Sequence, residues 1–251
     1  MKETKLERHN FILGRIKKDR KISMTALAKE LQVSAHTVRR DLKELSTTGL
    51  LTAVRGGAMV KSVLPFNRVD RSGLQLNEKT IIAEKAVTLL ADGMLVFMDA
   101  GTTIEAIAGF IPDSLRITVV THSFAIANIL ASHPGVKLIF AGGELCPASF
   151  STQGSQTIDT FRKINADICF LGVCSMDSEA GISARTWEEA ALKQVMCRQS
   201  KTLVAAATFH KLGHRDPFFV VETGGINYLI TEKTADMPDF LPYKQQNIQI
   251  I

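Results

Sequence analysis

Ser34-Ala35-His36-Thr37-Val38-Arg39-Arg40-Asp41-Leu42-Lys43-Glu44-Leu45 is the stretch whose reading decides the N-terminal part of this chain. Its spacing predicts a helix. Ser34 is placed to cap that helix, its hydroxyl accepting from the N–H of Thr37. Val38, Leu42 and Leu45 recur at i, i+4 and i+7, so one stripe faces a core. His36, Arg39, Arg40 and Lys43 fall on the other side, and Ser34, Ala35 and Thr37 lie at the leading end. An apolar back and a polar front are what a helix entering a DNA major groove requires. The arginine fork can pair with guanine O6 and N7 or with phosphate. A solvated basic face on an ordinary helix would look the same in isolation, so the flanking sequence has to decide.

Upstream, Ile22 to Leu31 reads as a shorter helix capped by Ser23, with Leu27 and Leu31 inward. Gln32-Val33-Ser34 is then the turn of a helix-turn-helix. Leu6 to Lys18 is a third amphipathic helix, with Ile12, Leu13 and Ile16 inward. Downstream, Leu50 to Val54 and Ala58 to Val60 are strand-like and flank Arg55-Gly56-Gly57, a hairpin signal. This predicts a wing with Arg55 at its tip, within reach of a phosphate or the minor groove. Charge follows the same division. Residues 1–61 hold 14 Lys/Arg against 6 Asp/Glu, a net of +8, whereas the rest of the chain holds 16 against 19, a net of −3. The basic footprint that phosphate neutralisation needs is therefore confined to the N-terminal part.

The run Ser34 to Leu45, then Gly49-Leu50 and Arg55-Gly56-Gly57-Ala58, resembles the DeoR family of bacterial transcriptional regulators. That family's pattern is S-x-x-T-[IV]-R-R-D-L-x-x-L, followed by G-x-L and x-G-G-A. The resemblance implies a winged helix-turn-helix at residues 1–60 that binds a double-stranded DNA operator.

The chain has 251 residues, 45% of them apolar and 22% charged, ordinary for a globular protein. No run approaches the roughly 18 apolar residues of a membrane span, so no membrane partner is expected. The charged N-terminus leads straight into a helix rather than a secretory signal, which makes the cytoplasm the expected compartment. Cys146, Cys169, Cys174 and Cys197 show no C-x-x-C spacing. They read as small buried hydrophobes, and neither a metal site nor a cofactor is expected.

Residues 61–75 contain Pro65 and Gly73 and little periodicity, and read as a linker to a second domain at 76–251. There, after a helix from Asn77 to Leu90, continuous apolar strands alternate with helices. The strands are Leu95–Asp99, Ile117–Val120, Val136–Phe140, Asp167–Cys174, Thr202–Ala207, Tyr228–Thr231 and Asn247–Ile251. This predicts an α/β fold: an open, mostly parallel sheet buried on both faces. Small and hydroxylic residues follow the strands: Gly101, Thr102 and Thr103 after Asp99; Thr121, His122 and Ser123; Gly142, Gly143 and Glu144; and Thr208 to Gly213 with Lys211. Ligands of such sheets bind outside the carboxyl ends of the strands. Helix N-termini and small residues there favour anions, so the pattern suits a phosphate carrying several hydroxyls. Each loop alone is also explained by turn and cap chemistry.

The D-x-G-T-T, T-x-S, G-G-x, E-A-x-x-K and K-[FL]-G pieces resemble the DeoR sensor domain. They are Asp99, Gly101, Thr102 and Thr103; Thr121 and Ser123; Gly142 and Gly143; Glu189, Ala190 and Lys193; and Lys211 and Gly213. The resemblance implies a fold similar to ribose-phosphate isomerases and glucosamine-phosphate deaminases. It also implies a phosphorylated sugar effector, repression of a carbohydrate operon relieved by that effector, and two or four copies per assembly. There are departures. His122 stands where the family often has Asn, Cys174-Ser175 where it usually has Asp-Gly, and Thr208 where its D-[SH]-[ST]-K loop has an acid. His122 reads either as a phosphate donor or as a satisfied loop histidine, and Lys193 as a ligand group or as the partner of Glu189 four residues earlier. Two alternatives remain. One is an isomerase- or deaminase-like enzyme with a DNA-binding appendage, for which Asp99 and Glu144 are the only pocket-edge acids. The other is a DNA-binding regulator whose sensor is vestigial. The expectation is that the chain is not an enzyme.

Overall fold

The computed structural model describes residues 4–19, 21–48, 51–54, 56–60 and 67–251. Arg55 and the Gly49-Leu50 pair of the family pattern lie outside them, as do 61–66 of the expected linker. Two compact units are formed, one built on Met1–Val63 and Gly213–Asp216 and one on Leu64–Leu212 and Pro217–Ile251.

The first unit contains α1 (Lys5–Asp19), β1 (Lys21–Ser23), α2 (Met24–Glu30), α3 (Ala35–Thr47), β2 (Leu51–Val54) and β3 (Gly57–Val60). Ser34 caps α3 as its position predicts, accepting from the Thr37 N–H at 3.1 Å. Ile12, Ile16, Leu27, Val38, Leu42, Leu45, Leu51 and Ala58 share one core. The segment expected to be wholly helical from Ile22 is instead split. Lys21–Ser23 pairs antiparallel with β3, with Ile22 opposite Ala58, and the wing has three strands in the order β1-β3-β2. The two glycines make this possible. Gly56 turns the chain at φ 84°, and a Cβ on Gly57 would lie 2.1 Å from the Ile22 carbonyl oxygen.

Asp41 of the R-R-D run has a structural task that its motif does not announce. It is fully buried, and Arg8 of α1 donates from Nε to Oδ2 at 2.9 Å and from Nη2 to Oδ1 at 3.3 Å. Burial alone would raise the Asp41 carboxyl, but the hydrogen bonds and charge of Arg8, with His9, hold it below its ordinary value. Asp41 thus bolts the candidate reading helix to α1.

The second unit begins with α4 (Arg68–Ser72) and α5 (Leu76–Val87). Then come β4 (Leu95–Met98), α6 (Thr102–Gly109), β5 (Ile117–Thr121), α7 (Phe124–Leu130), β6 (Val136–Phe140), β7 (Glu144–Cys146), β8 (Ser151–Gln153) and α8 (Ser155–Arg162). The remainder is β9 (Ala166–Gly172), β10 (Ser175–Asp177), β11 (Gly181–Ala184), α9 (Trp187–Arg198), β12 (Ser200–Ala206), β13 (Phe218–Val221), β14 (Tyr228–Ile230) and β15 (Gln249–Ile250). Seven strands form one parallel sheet in the order β15-β14-β12-β9-β4-β5-β6. Its two faces carry separate cores, one around Phe97, Phe161 and Leu171 and one around Val96, Ile104 and Phe170. The order reverses between β4 and β9: the chain winds outward through β5 and β6, crosses back to β9 and winds the other way. That reversal is where a doubly wound sheet opens a crevice. The β7–β8 hairpin and the antiparallel β10-β11-β13 sheet lie beyond the alternating pattern. Part of the expected linker is also structured, because α4 belongs to this unit.

Asp41→Ala should strip the counter-ion from a mostly buried Arg8. The expected cost to the first unit is about 3 kcal/mol, read by chemical denaturation followed by far-UV circular dichroism; a loss below about 0.5 kcal/mol would show that Asp41 is not the bolt.

Candidate functional site

A cavity of about 290 Å³ opens at the reversal point, at the carboxyl ends of β4 and β9. Its wall includes Asp99, Gly101, Thr102 and Thr103 after β4, His122 after β5, Gly172 and Cys174 at the end of β9, Glu188, Glu189 and Lys193 on α9, and Lys211 after β12. The turn between β7 and β8 contributes Cys146, Ala148 and Ser149, and α4 contributes Arg71.

The floor is a closed ionic network. Asp99 is 2% exposed. Its Oδ2 accepts from the Lys193 ammonium and from the Gly172 N–H, the latter at 2.9 Å. Lys193 also donates to the Gly172 carbonyl at 2.5 Å and lies 3.5 Å from Glu189. Gly172 is needed for space, since a Cβ there would stand 2.7 Å from the Ala100 carbonyl oxygen and 3.1 Å from Asp99 Oδ2. Burial works against the Asp99 charge, yet Lys193, with His122, takes its carboxyl down to about 2. For Lys193, burial is likewise overcome by Asp99 and Glu189, and its ammonium is held above the ordinary range. The i,i+4 spacing from Glu189 therefore does not mark a surface ion pair: Lys193 is a buried strut between α9 and β4.

His122 is committed as well. Its Nδ1 lies 2.8 Å from the Thr152 carbonyl oxygen, which can only accept, so Nδ1 donates. Its Nε2 faces the Ala100 N–H at 3.2 Å and Asp99 Oδ1 at 3.1 Å. Neither ring nitrogen is spare for a phosphate, and the satisfied-histidine reading is the one the geometry supports. Thr121 donates from Oγ1 to the Met98 carbonyl at 2.8 Å, and Ser123 caps α7 through Ile126. The Gly142–Glu144 loop faces elsewhere. Thr157 Oγ1 donates to the Gly142 carbonyl at 2.9 Å, a Cβ on Gly143 would strike that same oxygen, and Glu144 is exposed on β7 opposite Gln153. Thr121, Ser123, Gly142, Gly143 and Glu144, expected at the pocket from their loops, are absent from the cavity wall.

Apart from the Glu188 carboxylate, the cavity groups without a partner among the described residues are donors and cations. Gly101, at φ 141°, starts α6 without a side-chain cap, so the first N–H groups of that helix are open. The Thr103 hydroxyl is buried and has no hydrogen-bond partner among the described residues. Lys211 lines the cavity, and no acid among the described residues pairs with it. Burial pushes its ammonium down to about 8; Arg71, Lys79 and Lys193 push the same way, against the Cys174 thiol. A helix N-terminus, an idle hydroxyl and unpaired cations suit a phosphate. Cys174 donates instead to Glu189 at 3.4 Å, and burial pushes its thiol up to about 11, so it is not a ready nucleophile. Arg71 went unread in the sequence because it falls in a stretch without periodicity.

In the first unit, Ala35, His36, Arg39, Arg40 and Lys43 are all exposed on α3, opposite the buried Val38, Leu42 and Leu45, and Thr37 is half-buried behind the cap. Arg39 and Lys43 have no ion-pair partner among the described residues. One helix face is thus left basic and unoccupied.

Lys193→Met should leave Asp99 buried without its cation, at an expected cost of roughly 3–5 kcal/mol to the second unit. In the parent chain, Asp99 has a folded pKa below its unfolded value of about 3.9. Its stabilisation is complete above that pH and is lost as pH falls toward 2. Urea denaturation between pH 7 and pH 3 measures both effects, and a variant as stable as the parent would refute the strut.

Comparison with known proteins agrees with this layout. Residues 8–63 match the sequence model of the DeoR-like helix-turn-helix domain, and residues 74–233 that of the DeoR C-terminal sensor domain. The HTH-type transcriptional regulator GolR of Listeria innocua is 31% identical over 97% of this chain and 97% of its own length. The glycerol-3-phosphate regulon repressor of Escherichia coli is 31% identical over 85% of this chain and 84% of that protein, and the HTH-type transcriptional repressor GlcR of Bacillus subtilis 31% over 90% and 88%. Among solved structures, ribose 5-phosphate isomerase A of Methanocaldococcus jannaschii matches at TM-score 0.40, with 16% identity over 53% of each chain. With both of its family domains matched in order and relatives aligned along nearly its full length, this chain belongs to the DeoR family of transcriptional regulators.

Proposed function

We propose that this regulator represses a carbohydrate-metabolism operon and that a phosphorylated sugar, bound in the cavity at the ends of β4 and β9, changes its affinity for operator DNA. The observation that carries the effector class is the idle Thr103 hydroxyl beside the open N-terminus of α6, with Lys211 unpaired across the cavity. The phosphate takes the α6 N–H groups, Thr103 and Lys211, and the sugar hydroxyls face Glu188 and Glu189. The names of the E. coli and B. subtilis relatives support repression as the mode. The exposed basic face of α3 supports operator reading through Arg39, Arg40, Lys43 and His36. A helix-turn-helix reader matches two half-sites with two copies, so the working form is a homodimer or homotetramer in the cytoplasm. Regulation follows from different effector affinities of two conformations of the chain.

Catalysis is the weaker reading. Proton transfer needs an acid or base free to move a proton. Asp99 is buried and held by Lys193 and the Gly172 N–H, and Glu144 lies outside the cavity.

Thermal melts of the full chain against phosphorylated sugars and sugar acids test the effector. A ligand at about 100 times its Kd adds ~2.7 kcal/mol, a rise of roughly 5–10 °C for a chain of this size. Binding should weaken from pH 7 to pH 9, as Lys211 loses its proton with its ammonium at about 8. A flat response to every compound would favour a vestigial sensor. For the DNA face, Arg39→Ala and Arg40→Ala should each cost roughly 1–3 kcal/mol against a duplex selected from a random pool. Unchanged sequence preference in both would displace α3 as the reader.

A further inference from the structure

The first element of the α/β unit is also part of its cavity. α4 follows residues 61–66, which connect it in sequence to the DNA-reading unit. Four hydrogen bonds fix α4 to its own unit. Arg68 makes a two-pronged pair with Glu105, Nε to Oε1 at 2.6 Å and Nη2 to Oε2 at 2.7 Å. The Arg68 N–H donates to the Ala148 carbonyl at 2.7 Å. Lys79 of α5 donates from Nζ to the Arg71 carbonyl at 2.8 Å. The far ends of these bonds belong to the cavity's own scaffold: Glu105 sits in the first turn of α6, and Ala148 lines the cavity in the β7–β8 turn.

Arg71, three residues after Arg68, lines the cavity itself. Its Nε is buried and has no hydrogen-bond partner, and no carboxylate pairs with its guanidinium among the described residues. Burial lowers the ammonium of Lys79 and that of Lys211; Arg71 adds to this at both, while Glu105 acts against it at Lys79. A planar guanidinium fork with an idle N–H is suited to two phosphate oxygens at once, which a lysine is not.

We propose that Arg71 binds the anionic group of the effector, so that effector binding fastens α4, the segment leading in sequence to the DNA-reading unit, onto the α/β unit. This rests on reading the cavity as an anion site. Arg71 reaches the cavity only while α4 is seated, and binding is therefore tighter when α4 is seated than when it is not. That difference in affinity is the condition for an effector to shift a conformational equilibrium. Arg71 also restricts the ligand class, because a neutral sugar offers no paired anionic oxygens to its fork.

The test uses the full chain with millimolar inorganic phosphate as the probe, read by hydrogen exchange over residues 67–75 and by thermal melting. Phosphate should raise the melting temperature and slow exchange across α4. In Arg71→Gln, phosphate should bind roughly tenfold more weakly or worse, and the slowing should vanish. Arg71→Lys, which keeps the charge without the fork, should fall between the two. Lys211→Gln reports on the cavity independently of α4. If phosphate stabilises the parent chain and Lys211→Gln abolishes that, while Arg71→Gln still responds like the parent, the role of Arg71 is overturned and the anion site stands. If phosphate binding depends on Arg71 but leaves exchange at 67–75 unchanged, the fastening of α4 is overturned. If phosphate affects neither readout in the parent, the anion site and the proposal fall together.

Discussion

The pairing of Asp99 with Lys193 is the constraint on which the α/β unit depends. A carboxylate buried at the end of a central strand is tolerable only if its charge is met at close range. Here a lysine arrives from α9, four residues after Glu189, and completes its own hydrogen bonds on the Gly172 carbonyl. That contact fixes the spacing of β4, β9 and α9 at the one place where the sheet reverses its winding. It also explains why the residue at the end of β9 must lack a side chain.

Because this pair is closed, the chemistry of the cavity is set by what is left over. Asp99 and His122 serve the scaffold. The open groups are donors and cations: the first N–H groups of α6, the Thr103 hydroxyl, Lys211 and Arg71. These donors and cations suit an anion, while the Glu188 and Glu189 carboxylates on α9 offer acceptors to hydroxyls. In the DNA-reading unit the logic repeats, with Asp41 spent on Arg8 so that its neighbours Arg39 and Arg40 can face outward.

Much of this was legible in the sequence, for reasons that differ by element. The cap at Ser34, the Val38-Leu42-Leu45 stripe and the Gly56-Gly57 turn are local, and the apolar runs of the parallel strands report burial on both faces directly. Lys21–Ser23 was not legible as a strand, since three residues carry no period and its partner lies 34 or more residues downstream. α4 was hidden because Arg68 gains its place from Glu105, 37 residues away, and not from any neighbour. His122 and Asp99 were correctly placed at the sheet edge. Whether their polar atoms were free depended on Thr152, Gly172 and Lys193, which no spacing rule brings together. The Gly142-Gly143 loop shows the converse: Gly143 makes room for the Thr157 hydroxyl, a packing demand that looks identical to a ligand-binding one when only the sequence is read.

The most direct test of this account is the crystal structure of the full chain with the phosphorylated sugar that most raises its melting temperature. The account predicts the phosphate at the N-terminus of α6, within hydrogen-bond distance of the Thr103 hydroxyl and the Lys211 ammonium, with the Asp99–Lys193 pair intact beneath it. A phosphate bound elsewhere, or one that draws Lys193 away from Asp99, would contradict it.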